Sequence, residues 1–284
     1  MAQLRDIKDR IDSVQKTQKM TQAMKMVAAA KFKRASERAL NTRPYIKYLK
    51  NTLAMVQSQS GDVDSPLLES HDTNVQAVII IASDRGLCGG FNSNILREVE
   101  SYLKSQVNPV KLYVFGSKAY QHFKSLEWEI AAYYEGLDQN LDSQGVKEYL
   151  GVIESDFKLG AYEKVMLFYN EFQSAITTNL MSVQLLPFHM ETEEEQTPAD
   201  YIFEPSAEAI FGMLVEETVL LTLYSAFLES FAAEQGARMA AMDSATENAG
   251  EMIKSLKLIY NRQRQAQITT ELSEIVAGAE ALAG

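Results

Sequence analysis

The chain has 284 residues, 46% of them apolar and 23% charged, with a formal net charge of -11 and one cysteine, Cys88. That is the balance of an ordinary soluble protein, and a lone thiol excludes an intramolecular disulfide and any cysteine-based metal cluster. His71, His122 and His189 fall at no ligand spacing, no apolar run approaches the ~20 residues that span a bilayer, and MAQLRDIKDR lacks the apolar core of a secretory signal; a cytoplasmic protein without metal, cofactor or direct membrane insertion is expected.

The first region, residues 2 to about 57, reads as one long helix with a kink near Pro44, where a backbone donor is missing. Leu4, Ile7, Ile11 and Val14 step 3-4-3, the seam of a helix that packs on another helix. Beyond Val14 the seam turns polar, at Gln18, Thr21 and Lys25. Residues 1–50 carry 13 Lys plus Arg against 4 Asp plus Glu, a local charge of +9 that leaves -20 for the rest. Such asymmetry points to different partners for the two parts. The cations, among them Lys16, Lys19, Lys25, Lys31, Lys33, Arg34 and Arg38, are interleaved with Met and Ala rather than with stacking aromatics, so nucleic acid is not the expected partner.

The second region, 74–205, alternates strand and helix signals. Residues 75–82 (VQAVIIIA) form the continuous β-branched run of a strand buried on both faces. A Gly-rich turn and a helix over 92–104 follow, then a strand over 111–115, a helix over 117–124, a helix over 144–158 and strands over 164–172 and 182–188. This alternation predicts an α/β domain with a mostly parallel sheet and right-handed crossovers. The third region, 206–284, contains no proline. As one helix over 206–282 it would extend ~115 Å at about 1.5 Å per residue. Met242, Ala245, Ala249, Met252, Leu256 and Ile259 step 3-4-3-4-3, and the same phase turns polar at Gln263 and Thr270. The economical arrangement is an antiparallel pair of terminal helices in which the longer one outruns the shorter. Its apolar end, Ile268–Gly284, then needs a surrounding partner.

Two local features could carry chemistry. Gly86-Leu87-Cys88-Gly89-Gly90 after a buried strand could be a phosphate-binding turn, but neither G-x-G-x-x-G nor G-K-[ST] is present. A tight turn whose glycines relieve steric strain is the better reading. Asp84 and Arg85 lack a neighbouring histidine or metal cluster, so capping rather than catalysis is expected.

Over essentially its whole length the sequence resembles the gamma subunits of F-type ATP synthases. Three blocks carry the resemblance: RIDSVQKTQKMTQAMKMVAAAKFKRASER at 10–38, SDRGLCGGFN at 83–92 and ITTELSEIVAGAEA at 268–281. It implies a long antiparallel two-helix coiled coil, made by the N- and C-terminal helices (1–57 and 206–284), plus a central Rossmann-like α/β domain (74–205). It implies a non-catalytic rotor shaft that turns inside a ring of alternating alpha and beta subunits and couples proton or sodium flow to ATP synthesis or hydrolysis. The epsilon subunit and the membrane c-ring are the other implied partners, and the cytoplasmic face of a bacterial plasma membrane is the implied place. Residue by residue, the resemblance implies ring contacts at Met24, Lys25, Arg238, Arg264, Gln265, Thr269 and Glu271, with Glu274 in the same block. Tyr201 and Glu204 match the foot on the c-ring. Against this stand an adaptor that binds another helical protein, which predicts a sustained apolar seam, and an α/β enzyme, which lacks a nucleophile–base–orienter set.

Overall fold

The computed structural model describes residues 2–60, 65–136, 142–174, 177–189, 203–204 and 206–283. The chain is α/β: among the described residues, two long terminal helices enclose five strands and three shorter helices in sequence. Helix α1 spans Ala2–Ser60 and α5 spans Ala207–Ala283, a single helix of 77 residues. The last seventy-odd residues are therefore not broken into short helices. Pro44 lies inside α1. It is tolerated because both Pro44 and Leu40, one turn earlier, are exposed, so the unpaired carbonyl can turn to water.

Between them come β1 (Gln76–Ile81), α2 (Phe91–Ser105), β2 (Val110–Phe115), α3 (Ser117–Ser125), β3 (Ile130–Tyr134), α4 (Ser143–Lys158), β4 (Lys164–Phe172) and β5 (Thr178–Leu186). Two compact units are present. They divide inside the long helices, whereas the sequence-based division followed the changes of element type.

One unit joins Met1–Ala28 and Met239–Gly284. Its two helix segments pair antiparallel: Thr21 meets Thr246 and Lys25 meets Asp243. On α1 the expected phase holds, and positions 4, 7, 11, 14, 18, 21, 25 and 28 are all buried or half-buried. On α5 the phase needs correction. Met242, Ala245 and Thr246 are all sheltered; beyond them the seam runs through Ala249, Ile253, Leu256, Tyr260, Gln263 and Gln267, a 4-3 step in place of the expected 3-4 step. Met252 and Ile259 are instead 48% and 49% exposed. The reason lies at the polar level of the seam. Thr246 Oγ1 lies 2.7 Å from Thr21 Oγ1, a hydroxyl contact across the pair that Ala245 could not make.

The other unit is Ala29–Arg238. Its sheet has the order β3-β2-β1-β4-β5. The first four strands in that order are parallel, and β5 returns antiparallel to β4. Two strands differ from expectation. Sequence reading passed over β3 (IAAYY), a short edge strand with no clean alternation, and it started β5 four residues late. Pro187, which has no N–H for a ladder, stops β5 at Leu186.

Central β1 is buried at every residue, as its apolar run requires. One sheet face packs on α2 and α3 through Ile95, Val99, Leu103 and Phe123. The opposite face packs on α4, on Leu53 and Val56 of α1, and on Phe211, Val215, Val219, Leu223 and Phe227 of α5. Between Phe211 and Arg238 only Met213, Glu216 and Glu217 are exposed. Helix α5 also contains an 18-residue stretch apolar enough, by length and composition, to cross a bilayer, contrary to the sequence expectation; half of it is buried within the protein, so core packing explains its composition.

Candidate functional site

In the paired-helix unit the polar seam is a set of directed contacts. Thr21 Oγ1 donates to the Gln18 carbonyl at 3.0 Å, and Thr246 Oγ1 lies on the Met242 carbonyl at 2.7 Å. Gln18 Nε2 reaches the Thr246 carbonyl at 3.4 Å. Lys25 Nζ donates to Asp243 Oδ1 at 2.6 Å, with the two side chains 34% and 59% exposed. Met24 beside it is half-buried. Such part-exposed ion pairs contribute ~0–1 kcal/mol.

Further along α5, Arg264, Gln265, Thr269, Glu271 and Glu274 are all exposed. Thr269 Oγ1 donates to the Gln265 carbonyl at 3.0 Å, and Gln267 Nε2 donates to Glu271 at 2.8 Å. Interleaved with them are large apolar side chains in the open: Ile268 at 47%, Leu272 at 59%, Ile275 at 68% and Val276 at 56% exposure. A contiguous apolar stripe of this kind on an exposed helix marks an interaction surface.

In the sheet unit, the Gly-rich turn connects β1 to α2. Leu87 and Gly89 adopt positive φ, 63° and 56°. Asn92 in the first turn of α2 braces it: Asn92 Nδ2 donates to Ser83 Oγ at 2.7 Å, and Ser83 Oγ donates to the Arg85 carbonyl at 2.7 Å. Cys88 is buried against Phe91 and Ala233. Asp84 is a cap. Its carboxylate accepts from the backbone N–H of Ser117 at 2.9 Å, at the start of α3, and from that of Gly136 at 2.8 Å.

Arg238 pairs with Glu234 at 2.6 Å, and its side chain is 12% exposed. It also donates to the carbonyls of Arg85 and Gly86, each at 3.3 Å. Glu204 is exposed, and Tyr201 lies outside the described residues. Sequence reading missed an ion pair at 2.6 Å between Arg43 on α1, whose side chain is 41% exposed, and the buried Glu229 on α5. The only signal for it was a Glu inside an otherwise apolar helical run. It also missed a buried phenol pair, Tyr113 and Tyr162, 2.8 Å apart, where burial and the hydrogen bonds to Tyr162 and Asp156 push the Tyr113 phenol far above its ordinary range. Among the described residues no three His, Cys, Asp or Glu side chains gather as a metal site.

The family described as ATP synthase matches residues 3–282. The ATP synthase gamma chain of Prosthecochloris aestuarii is 45% identical over 291 residues, covering the whole of both chains. That of Desulforamulus reducens is 45% identical over 283 residues, 99% of this chain and all of the relative. Among solved structures, the central stalk and c-ring of the Tetrahymena thermophila mitochondrial ATP synthase aligns with a TM-score of 0.59 and 27% identity, over 80% of this chain and 99% of that one. The rotor of the Euglena gracilis mitochondrial ATP synthase shares the fold, with a TM-score of 0.69 at 17% identity over 94% of this chain and 99% of that one.

Proposed function

The chain belongs to the ATP synthase gamma-chain family, and from that membership we infer that it is the central rotor shaft of an F-type ATP synthase. The observation that carries this is a match at 45% identity that runs the full length of both chains. The shaft makes and breaks no bonds; the catalytic sites lie in the beta subunits. Its partners are the alpha and beta subunits of the ring, the epsilon subunit and the c-ring, and its association with the membrane is peripheral.

The finer reading rests on the exposed side chains. The two paired helices present different chemistry on different sides: Met20, Met26 and Val27 on α1, Met252, Leu258 and Ile259 on α5, and the charged residues between them. A turning cam of this kind offers each beta subunit a different face. Each orientation then favours a different nucleotide affinity, which is coupling between distant sites through differential contacts. In this reading residues 1–57 and 206–284 serve the ring, and 74–205 serves the foot.

Met24 and Lys25 meet an acidic stator loop. Lys25 is already paired with Asp243, so it exchanges one carboxylate for another as it passes, a contact weak enough to let the rotor move. Arg238 contributes less net charge there, because Glu234 neutralises it. Arg264, Gln265, Thr269 and Glu271 hydrogen-bond high in the ring, and the apolar stripe from Ile268 to Val276 lines the bearing. Tyr201 and Glu204 face the c-ring at the cytoplasmic face of a bacterial plasma membrane.

Co-expression with the ring subunits tests this reading. One copy of this chain per ring is expected in the purified complex; a ring that assembles and hydrolyses ATP in full without it contradicts the assignment. Deleting the residues after Ile268 should loosen the bearing, read as lost coupling of hydrolysis to ion pumping. The sheet unit should still unfold at its normal urea midpoint, because its core lies within Ala29–Arg238.

A further inference from the structure

The sheet order β3-β2-β1-β4-β5 reverses its direction of growth between β1 and β4. In open parallel sheets, ligands bind outside the carboxyl ends of the strands at such a reversal, with phosphates drawn to the start of the following helix. Here α5 itself fills that crevice. Ser230 Oγ donates to the carbonyl of Ile81, the last residue of β1, at 3.4 Å. Glu229 accepts from the N–H of Phe172, the last residue of β4, at 3.0 Å. Ala233 packs on Cys88 and Phe91, at the start of α2, and Arg238 closes over the turn carbonyls of Arg85 and Gly86.

Glu229 is 4% exposed yet fully satisfied. Arg43 Nε donates to one of its oxygens at 2.6 Å, while Arg43 Nη2 at 2.9 Å and the Phe172 amide donate to the other. Arg43 Nη2 also donates to the Phe172 carbonyl at 2.6 Å, which holds the guanidinium in plane. Tyr169 and Glu171 on β4 are the other titratable groups whose charge Arg43 feels. A planar guanidinium fork joined by a backbone amide is the donor set with which sites grip carboxylate ligands.

We propose that Glu229 is a built-in ligand: the carboxylate of the chain's own α5 sits in the crevice at the carboxyl end of β4, and Arg43 with the Phe172 amide forms a carboxylate site that a free monocarboxylate enters when Glu229 is shortened. The crevice thereby serves as a socket for a helix. This goes beyond the rotor role and does not rest on it, since every residue involved lies within the sheet unit.

Chemical rescue of the full-length chain provides the test. Glu229→Ala leaves the part-exposed Arg43 cation and the Phe172 amide facing a carboxylate-sized hole, and the lost charged hydrogen bonds should lower Tm by roughly 2–10 °C. Millimolar formate or acetate should restore at least half of that loss, whereas chloride at equal ionic strength should not. Adding Arg43→Met to Glu229→Ala should abolish the recovery. Should Glu229→Ala fail to fold alone, it should fold when refolded in formate, and failure there overturns the proposal. Glu229→Gln, which refills the hole, should be insensitive to formate. Absence of rescue in Glu229→Ala, or equal rescue of Glu229→Gln, likewise overturns it.

Discussion

The paired helices and the sheet unit hold themselves together by opposite means. In the helix pair the seam is polar over two turns, and its contacts are short hydrogen bonds and one part-exposed ion pair. Apart from Ile11, Ala28, Met242, Ala249 and Ile253 in the seam, large apolar side chains point outward, Leu258 at 72% and Ile275 at 68% exposure among them. In the sheet unit the large apolar residues are inside: Tyr113, Phe115, Phe123, Phe157, Phe168 and Phe211 are all essentially inaccessible. A body that must stay rigid saturates its own core. A surface that must meet several partners in turn keeps apolar and charged groups outside and relies on directed, individually weak contacts for its register.

That contrast can be broken first at the sheet. Phe115 is fully buried, with its ring 4.9 Å from Tyr134, 5.6 Å from Tyr149 and 4.8 Å from Phe227. Phe115→Ala should cost about 3–5 kcal/mol in urea unfolding. Next to it, Gly116 holds φ 101°, and a Cβ there would stand 2.4 Å from the Ala82 carbonyl oxygen. Gly116→Ala should therefore cost about 2–3 kcal/mol from the backbone strain and the enforced shift. If either variant unfolds at the wild-type midpoint, the sheet unit is not the close-packed body described.

The helix pair should respond less, by a factor of about two to five. Thr21→Ala or Thr246→Ala should each cost about 1 kcal/mol. The double variant should cost less than the two together, because the second change removes a hydroxyl that has already lost its partner on the other helix. Strict additivity in the cycle would show that the two hydroxyls do not interact.

The smallest effect is a pH dependence. Burial, with Glu216 nearby, raises the Glu154 pKa above its ordinary 4.5, against the opposing pull of Lys158 and Lys147. A carboxyl with a raised folded pKa favours folding while protonated, and that contribution is lost as pH rises through the folded value. Glu154→Gln should thus be more stable than wild type at neutral pH, with the difference shrinking toward pH 4.5. A constant offset across the titration would assign the effect to packing instead.

Much of the architecture was legible because it depends on long, unambiguous patterns. The β-branched run of β1 could only be a buried strand, and an unbroken proline-free stretch could only be a long helix. What could not be read were choices between near-equal phases and pairs distant in sequence. Ala245 and Thr246 are both plausible seam residues; the hydroxyl of Thr21, 225 positions away, decides between them. Strand β3 is short and half-exposed, so no periodicity announces it. Arg43 and Glu229 are ordinary helix residues until the fold brings them together over the end of β4. Among the residues proposed to contact the ring, motif context singled out the exposed positions on α5, whereas the committed, mostly buried state of Arg238 emerges only from the turn it braces.

Single-molecule rotation tests the central claim most directly. Val107 is 99% exposed and Cys88 is 2% exposed, so a Val107→Cys chain can be labelled at one site, assembled with an immobilised alpha–beta ring and observed in ATP. Continuous unidirectional rotation of the label, stopping when nucleotide is withdrawn, is the predicted result. Sustained ATP hydrolysis by the same complexes with a stationary label would contradict it.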